Sequence, residues 1–104
     1  MEELELIGVS VSQLTERIKQ RLEEDILLQD VLVRGELSNF KRHSSGHLYF
    51  TMKDHDSSLR CVMFRSSAQK LPFDPADGEE ILAQGRIGIY QRGGQYQLYV
   101  YELV

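Results

Sequence analysis

The chain holds a single cysteine, Cys61, among its 104 residues. That excludes an intramolecular disulfide and a cysteine-rich zinc site, and makes a reduced, cytoplasmic setting the default expectation. Long apolar runs are missing as well. The longest are a few residues, far short of the roughly 20 that a membrane span needs, so no membrane partner is expected. Met1 is followed by Glu2 and Glu3 rather than by a basic region and an apolar block, so no secretory leader is visible. Internal repeats, low-complexity tracts and linkers are also lacking. The length suits one closed core and is too short for a two-domain enzyme. With 41% hydrophobic and 27% charged residues, the composition is that of an ordinary folded chain.

Catalytic groupings are equally sparse. His43 and His47 are four apart, but Ser44, Ser45 and Gly46 between them read as a loop, and two histidines with a distant Cys61 make no zinc set. Asp54 and Asp56 fall short of the convergent carboxylates a metal-dependent nuclease needs. Ser44 and Ser45 have no activating base in an evident position. No catalytic residue, metal site or cofactor is therefore expected within this chain.

What is present is an uneven distribution of charge. The net charge of −4 argues weakly against a polyanionic partner, yet the middle of the chain is basic. Residues 31–71 hold Arg34, Lys41, Arg42, Lys53, Arg60, Arg65 and Lys70 against three acids, while both flanks are acidic. A polyanion feels the field within about 10 Å, because salt screens the rest, so the middle third is the candidate anion-binding surface.

The hydrophobic pattern divides the chain the same way. Val11, Leu14, Ile18 and Leu22 recur at helical spacing, and Ser10 with Gln13 forms a capping box, with Val9 and Leu14 as a candidate staple. The crowded acids Glu23, Glu24 and Asp25 should end that helix, where the dipole disfavours anions. Residues 1–29 thus read as a lead-in and a helix packed on the remainder of the chain, and residues 30–104 as the binding domain. From Val31 the period is two. A first strand over residues 31–38 carries Gly35 as a bulge or bend, and residues 39–46 read as a basic loop. Leu48, Phe50 and Met52 alternate with Tyr49, Thr51 and Lys53 in a second strand, and residues 59–64 form a third. One or two helical turns come next, over residues 66–71. Strands over residues 80–90 and 95–103 then meet at a turn centred on Gly93 and Gly94.

Three strands, a short helical connection and a two-strand hairpin is the order of the OB-fold, a mainly β, five-stranded Greek-key barrel. Here it has an added N-terminal helix and a short helix between strands three and four. In that architecture ligands lie across strands two and three, gripped by the loops that here span residues 39–46 and 91–95. Single-stranded nucleic acid needs cations along its phosphates and flat faces under its bases. Lys41, Arg42, Arg60 and Arg65 supply the first, with Arg92 at the hairpin turn; Phe40, Tyr49 and Phe64 are placed for the second, with Tyr90 and Tyr96 beside the turn. Phe50 and Met52 read as core, and Tyr99 and Tyr101 as braces for the N-terminal helix.

One contiguous block goes further. Arg34-Gly35-Glu36-Leu37-Ser38-Asn39-Phe40-Lys41-Arg42-His43-Ser44-Ser45-Gly46-His47-Leu48-Tyr49-Phe50-Thr51-Met52-Lys53-Asp54 closely resembles the signature of the exodeoxyribonuclease VII large-subunit family. The likeness continues through Arg60-Cys61-Val62-Met63-Phe64-Arg65, Asp77-Gly78 and Tyr96-Gln97-Leu98-Tyr99-Val100. Val11-Ser12-Gln13-Leu14 and Leu27-Leu28-Gln29 resemble its lead helix. The resemblance implies an OB-fold that binds single-stranded DNA, belonging to a parent that degrades such DNA from its ends to oligonucleotides. It also implies a nuclease region and a segment gathering small subunits outside this chain, so that this piece holds DNA without cutting it. The binding residues it implies are Arg34, Asn39, Phe40, Lys41, Arg42, His47, Tyr49, Arg60, Phe64 and Arg65. Two other readings stay open: an assembly module, with homo-oligomers among its products, and an OB-fold for RNA.

Overall fold

A computed structural model describes residues 8–90 and 92–104. Most of the expected lead-in, and Gln91 of the hairpin turn, lie outside the described residues. Helix α1 (Val11–Glu24) opens with the capping box: Ser10 Oγ accepts the Gln13 N–H at 3.0 Å, and Gln13 Oε1 accepts the Ser10 N–H at 2.8 Å. Asp25 ends it and at once caps a single further turn, α2 (Ile26–Gln29), through the N–H groups of Leu27 and Leu28. Five strands come after it: β1 (Val31–Arg42), β2 (Leu48–Lys53), β3 (Ser58–Met63), β4 (Glu80–Tyr90) and β5 (Gln95–Leu103). The short helix α3 (Arg65–Ala68) lies between β3 and β4.

The strands close into a barrel in the order β1-β2-β3-β5-β4. All pairings are antiparallel except that of β3 with β5. This is the OB-fold barrel. Alternation fills it: Leu37, Leu48, Phe50, Met52, Cys61, Met63, Ile81, Ala83, Leu98 and Val100 all point into one buried cluster. Burial also pushes the Cys61 thiol up to about 12 from its ordinary 9.0, so it sits in the core as a neutral apolar group.

Helix α1 meets the barrel through its C-terminal end. Leu22, together with Leu28 of α2, packs against the core, whereas Val11, Leu14 and Ile18 are 84%, 50% and 45% exposed. Polar groups anchor the same junction. Gln29 Nε2 donates to the carbonyls of Leu22 and Ile87, and Asp30 accepts from Gln84 Nε2 at 3.0 Å and from the Tyr101 hydroxyl. Those bonds hold the Asp30 carboxyl below its usual range and push the Tyr101 phenol up.

One expectation is corrected by the structure: β1 runs on to Arg42, so residues 39–42 are strand and not loop. Its register against β2 shifts between Ser38 and Lys41, at Asn39, which adopts φ 53°. Gly35 is not the bulge; it is where the backbone of Lys53 approaches, 3.2 Å from where a Cβ would stand.

Candidate nucleic-acid interface

The bulge decides what faces outward. With Leu37 buried, strict alternation would send Asn39 and Lys41 into the core. The two residues Asn39 and Phe40 instead occupy the interval between Ser38↔Thr51 and Lys41↔Tyr49. Phe40 therefore turns inward, its ring 6.3 Å from that of Phe50, and Lys41 turns out beside Tyr49. An asparagine carries this at lower cost than most residues, since its short polar side chain tolerates the left-handed region.

From Lys41 a single register row crosses the outer face: Lys41↔Tyr49, Tyr49↔Val62, Val62↔Tyr99. Val62 is buried but stands outside the core cluster, so it forms a floor. Around that row lies an open groove of about 610 Å³, walled by Asn39, Tyr49, Arg60, Phe64, Tyr90 and Tyr99, with Lys41, Thr51 and Gln97 also reaching it. Among the described residues no carboxylate lines it. Tyr49 and Phe64 are 44% and 45% exposed, flat faces open to a ligand. Phe64 and Tyr99 lie ring beside ring, 5.9 Å apart and 31° from parallel. Arg60 spans to β5, its Nη1 donating to Gln95 Oε1 at 2.8 Å, which holds its guanidinium at the groove wall.

The β1–β2 connection is held from within. The His43 N–H donates to the His47 carbonyl and the Gly46 N–H to the His43 carbonyl, both at 2.9 Å. His43 Nδ1 takes the Ser45 N–H, and the His43 ring meets Tyr49 edge-on. Gly46 sits at φ 94°, with the stem of Arg65 laid across the space a Cβ would fill. His47 accepts the Arg65 N–H through Nδ1 at 2.9 Å and stands edge-on to Phe64 at 5.3 Å. His47 thus orients Phe64 and the start of α3.

Of the candidates drawn from the sequence, Asn39, Lys41, Tyr49, Arg60 and Phe64 come together in the groove, with His47 and Arg65 behind its α3 end. Four others do not. Phe40 is half-buried against the core. Arg42 stacks over Phe40 at 5.9 Å and pairs with Asp74 at 3.6 Å. Arg34 lines a separate, mostly apolar depression with Leu28, Val31, Met52 and Tyr96. Arg92 is exposed on the hairpin turn, outside the groove lining. Conversely, Tyr99 belongs to the groove and not to the helix, whereas Tyr101 does tie the helical segment down, through Asp30. Alternation along β5 would have put Tyr99 on the outer face; pairing with β3 is what makes that face the groove. Among the described residues no cluster of three or more His, Cys, Asp or Glu could hold a metal ion, and no helix is long and apolar enough to cross a membrane.

A closed five-stranded barrel with a cationic, ring-lined groove across β2, β3 and β5 defines an OB-fold nucleic-acid-binding domain. The chain belongs to the OB-fold nucleic acid binding domain family, which it matches over residues 9–104. It is 59% identical over 92 residues to the exodeoxyribonuclease 7 large subunit of Natranaerobius thermophilus, covering 88% of this chain and 22% of that protein. To the large subunit from Staphylococcus epidermidis it is 52% identical over 92 residues, with 88% and 21% covered. The chain thus spans about a fifth of the length of these relatives. Among solved structures, an SSB domain from Synechococcus sp. matches with TM-score 0.57 at 14% identity, over 72% of this chain and 92% of that one. Asparaginyl-tRNA synthetase from Pyrococcus horikoshii matches with TM-score 0.57 at 16% identity, over 74% and 20%. These two likenesses show the fold alone.

Proposed function

We propose that this chain is the single-stranded-DNA-binding domain of an exodeoxyribonuclease VII large subunit. The observation that carries the reading is the row Lys41–Tyr49–Val62–Tyr99, with Arg60 and Phe64 beside it: charge and stacking faces on one strip of sheet. Phosphates would meet Lys41, Arg60 and Arg65, and bases would stack on Tyr49, Phe64 and Tyr99, each worth about 1–3 kcal/mol. The identity to large subunits supports a parent that hydrolyses phosphodiester bonds of single-stranded DNA from its ends, in the cytoplasm, with cutting and small-subunit assembly performed by parts outside this chain. Within the chain, residues 30–104 would bind and residues 1–29 lead in.

A fluorescein-labelled oligo-dT of about 15 nucleotides should bind with an affinity that falls as salt rises, at a log–log slope of about −0.7 per phosphate neutralised. A DNA oligomer should also outcompete an RNA oligomer of the same sequence, the 2′-hydroxyl being the physical difference. Absence of binding, or binding indifferent to salt, would overturn the reading; preference for RNA would move it to the RNA-binding alternative. The uncovered apolar side of α1, with Val9, Val11, Leu14 and Ile18 exposed, favours a second role as an assembly contact. It uses none of the groove residues, and light scattering on the same sample reads it separately.

A further inference from the structure

The register row does not stop at Tyr99. Its partner on β4 is Arg86, so the outer face reads Lys41–Tyr49–Val62–Tyr99–Arg86 across all five strands. At roughly 4.8 Å per strand spacing, the two terminal cations stand about 19 Å apart along the sheet. Arg86 lies just past the groove lining, exposed, with its guanidinium carbon 4.4 Å from the centre of the Tyr99 ring. Gly88, two residues along β4 on the same face, makes this possible. A Cβ there would stand 2.9 Å from Tyr99 Cε2 and 3.2 Å from Arg86 Nη1, so the missing side chain is the space the ring occupies. Among the described residues none of Lys41, Arg60 and Arg86 has a carboxylate partner. Tyr99 thus neighbours both the Phe64 ring and the Arg86 guanidinium, and that guanidinium keeps its N–H donors free for phosphate.

We infer that Arg86 is a phosphate-contacting residue that extends the binding path onto β4, pre-positioned by Tyr99 lying in the gap left by Gly88. The inference rests on the proposal that the groove binds single-stranded DNA. An arginine that only braced a tyrosine would affect affinity through the ring and leave the number of neutralised phosphates unchanged. A phosphate contact changes that number, and the salt slope reads it directly.

The test is the full 104-residue chain carrying Arg86→Gln, titrated with the labelled oligo-dT between about 50 and 200 mM salt. Its folding is checked by the thermal melt. Affinity should fall about 5-fold at the lower salt, and the log–log slope should become shallower by about 0.7. Arg86→Lys, which keeps the charge, should recover the wild-type slope. Unchanged affinity, or weaker binding with the wild-type slope in Arg86→Gln, would overturn the inference, and so would a slope that Arg86→Lys fails to restore. Tyr49→Ala separates the two levels. If it weakens binding while Arg86→Gln changes nothing, the groove stands and its extension onto β4 falls. If the wild-type chain does not bind oligo-dT, both fall.

Discussion

Removing the rings of Tyr49 and Tyr99 together is expected to weaken oligo-dT binding about 30-fold or more, with the barrel still folded. Each ring lines the groove, and loss of one stacked base costs at least about 1 kcal/mol, a factor near 5 in affinity. The two lie in one register row with Val62 between them, so a strand stacking on one is carried toward the other. Neither ring belongs to the core cluster, which is why binding and folding should separate. Phe40→Ala is the opposing control. That ring packs against Phe50 inside the barrel, so its loss should lower the melting temperature rather than act on a bound base. Anisotropy titrations beside thermal melts of the double tyrosine variant and of Phe40→Ala check this. A double tyrosine variant that binds like wild type would place the bases elsewhere.

Asn39→Val should damage both the fold and the site, while Asn39→Gly spares the fold. At φ 53° a β-branched residue is strained by roughly 1–3 kcal/mol, and the chain can escape only by giving up the bulge. Without it, alternation returns Lys41 to the interior and Phe40 to the surface, removing one cation from the row and one ring from the core. Urea denaturation should show a loss of about 2 kcal/mol for valine, accompanied by weaker oligo-dT binding and a shallower salt slope. Glycine accepts the conformation and should keep the slope. If valine left both stability and slope unchanged, the bulge would not be what aims Lys41.

The contrast between Gly35 and Asn39 shows where the sequence speaks plainly and where it does not. Alternation at Leu48, Phe50 and Met52, the cap at Ser10 and the glycine turn at Gly93 and Gly94 are local signals, and the structure obeys each. β4 and β5 likewise occupy residues 80–90 and 95–103, as their pattern implies. Segment 39–42 carries no apolar alternation and reads as loop; pairing of Lys41 and Arg42 with β2 makes it strand. Glycine is the visible mark of irregular backbone, yet the left-handed residue of β1 is an asparagine. The apolar stripe on α1 has the right period, but period says which side is apolar and not whether anything covers it. Arg34 and Arg42 show the limit of charge counting, because the barrel's curvature turns one toward a different depression and Asp74 takes the other. Tyr99 was legible as outward-facing. Its value came from β5 lying beside β3, a long-range neighbour that no spacing reveals.

The most direct test of a groove across β2, β3 and β5 is an amide chemical-shift map of the ¹⁵N-labelled chain titrated with oligo-dT. The largest changes should form one connected strip through Lys41, Tyr49, Arg60, Phe64 and Tyr99, with Val11, Leu14 and Arg34 nearly still. Changes centred on Arg34 and Tyr96, or on α1, would contradict it.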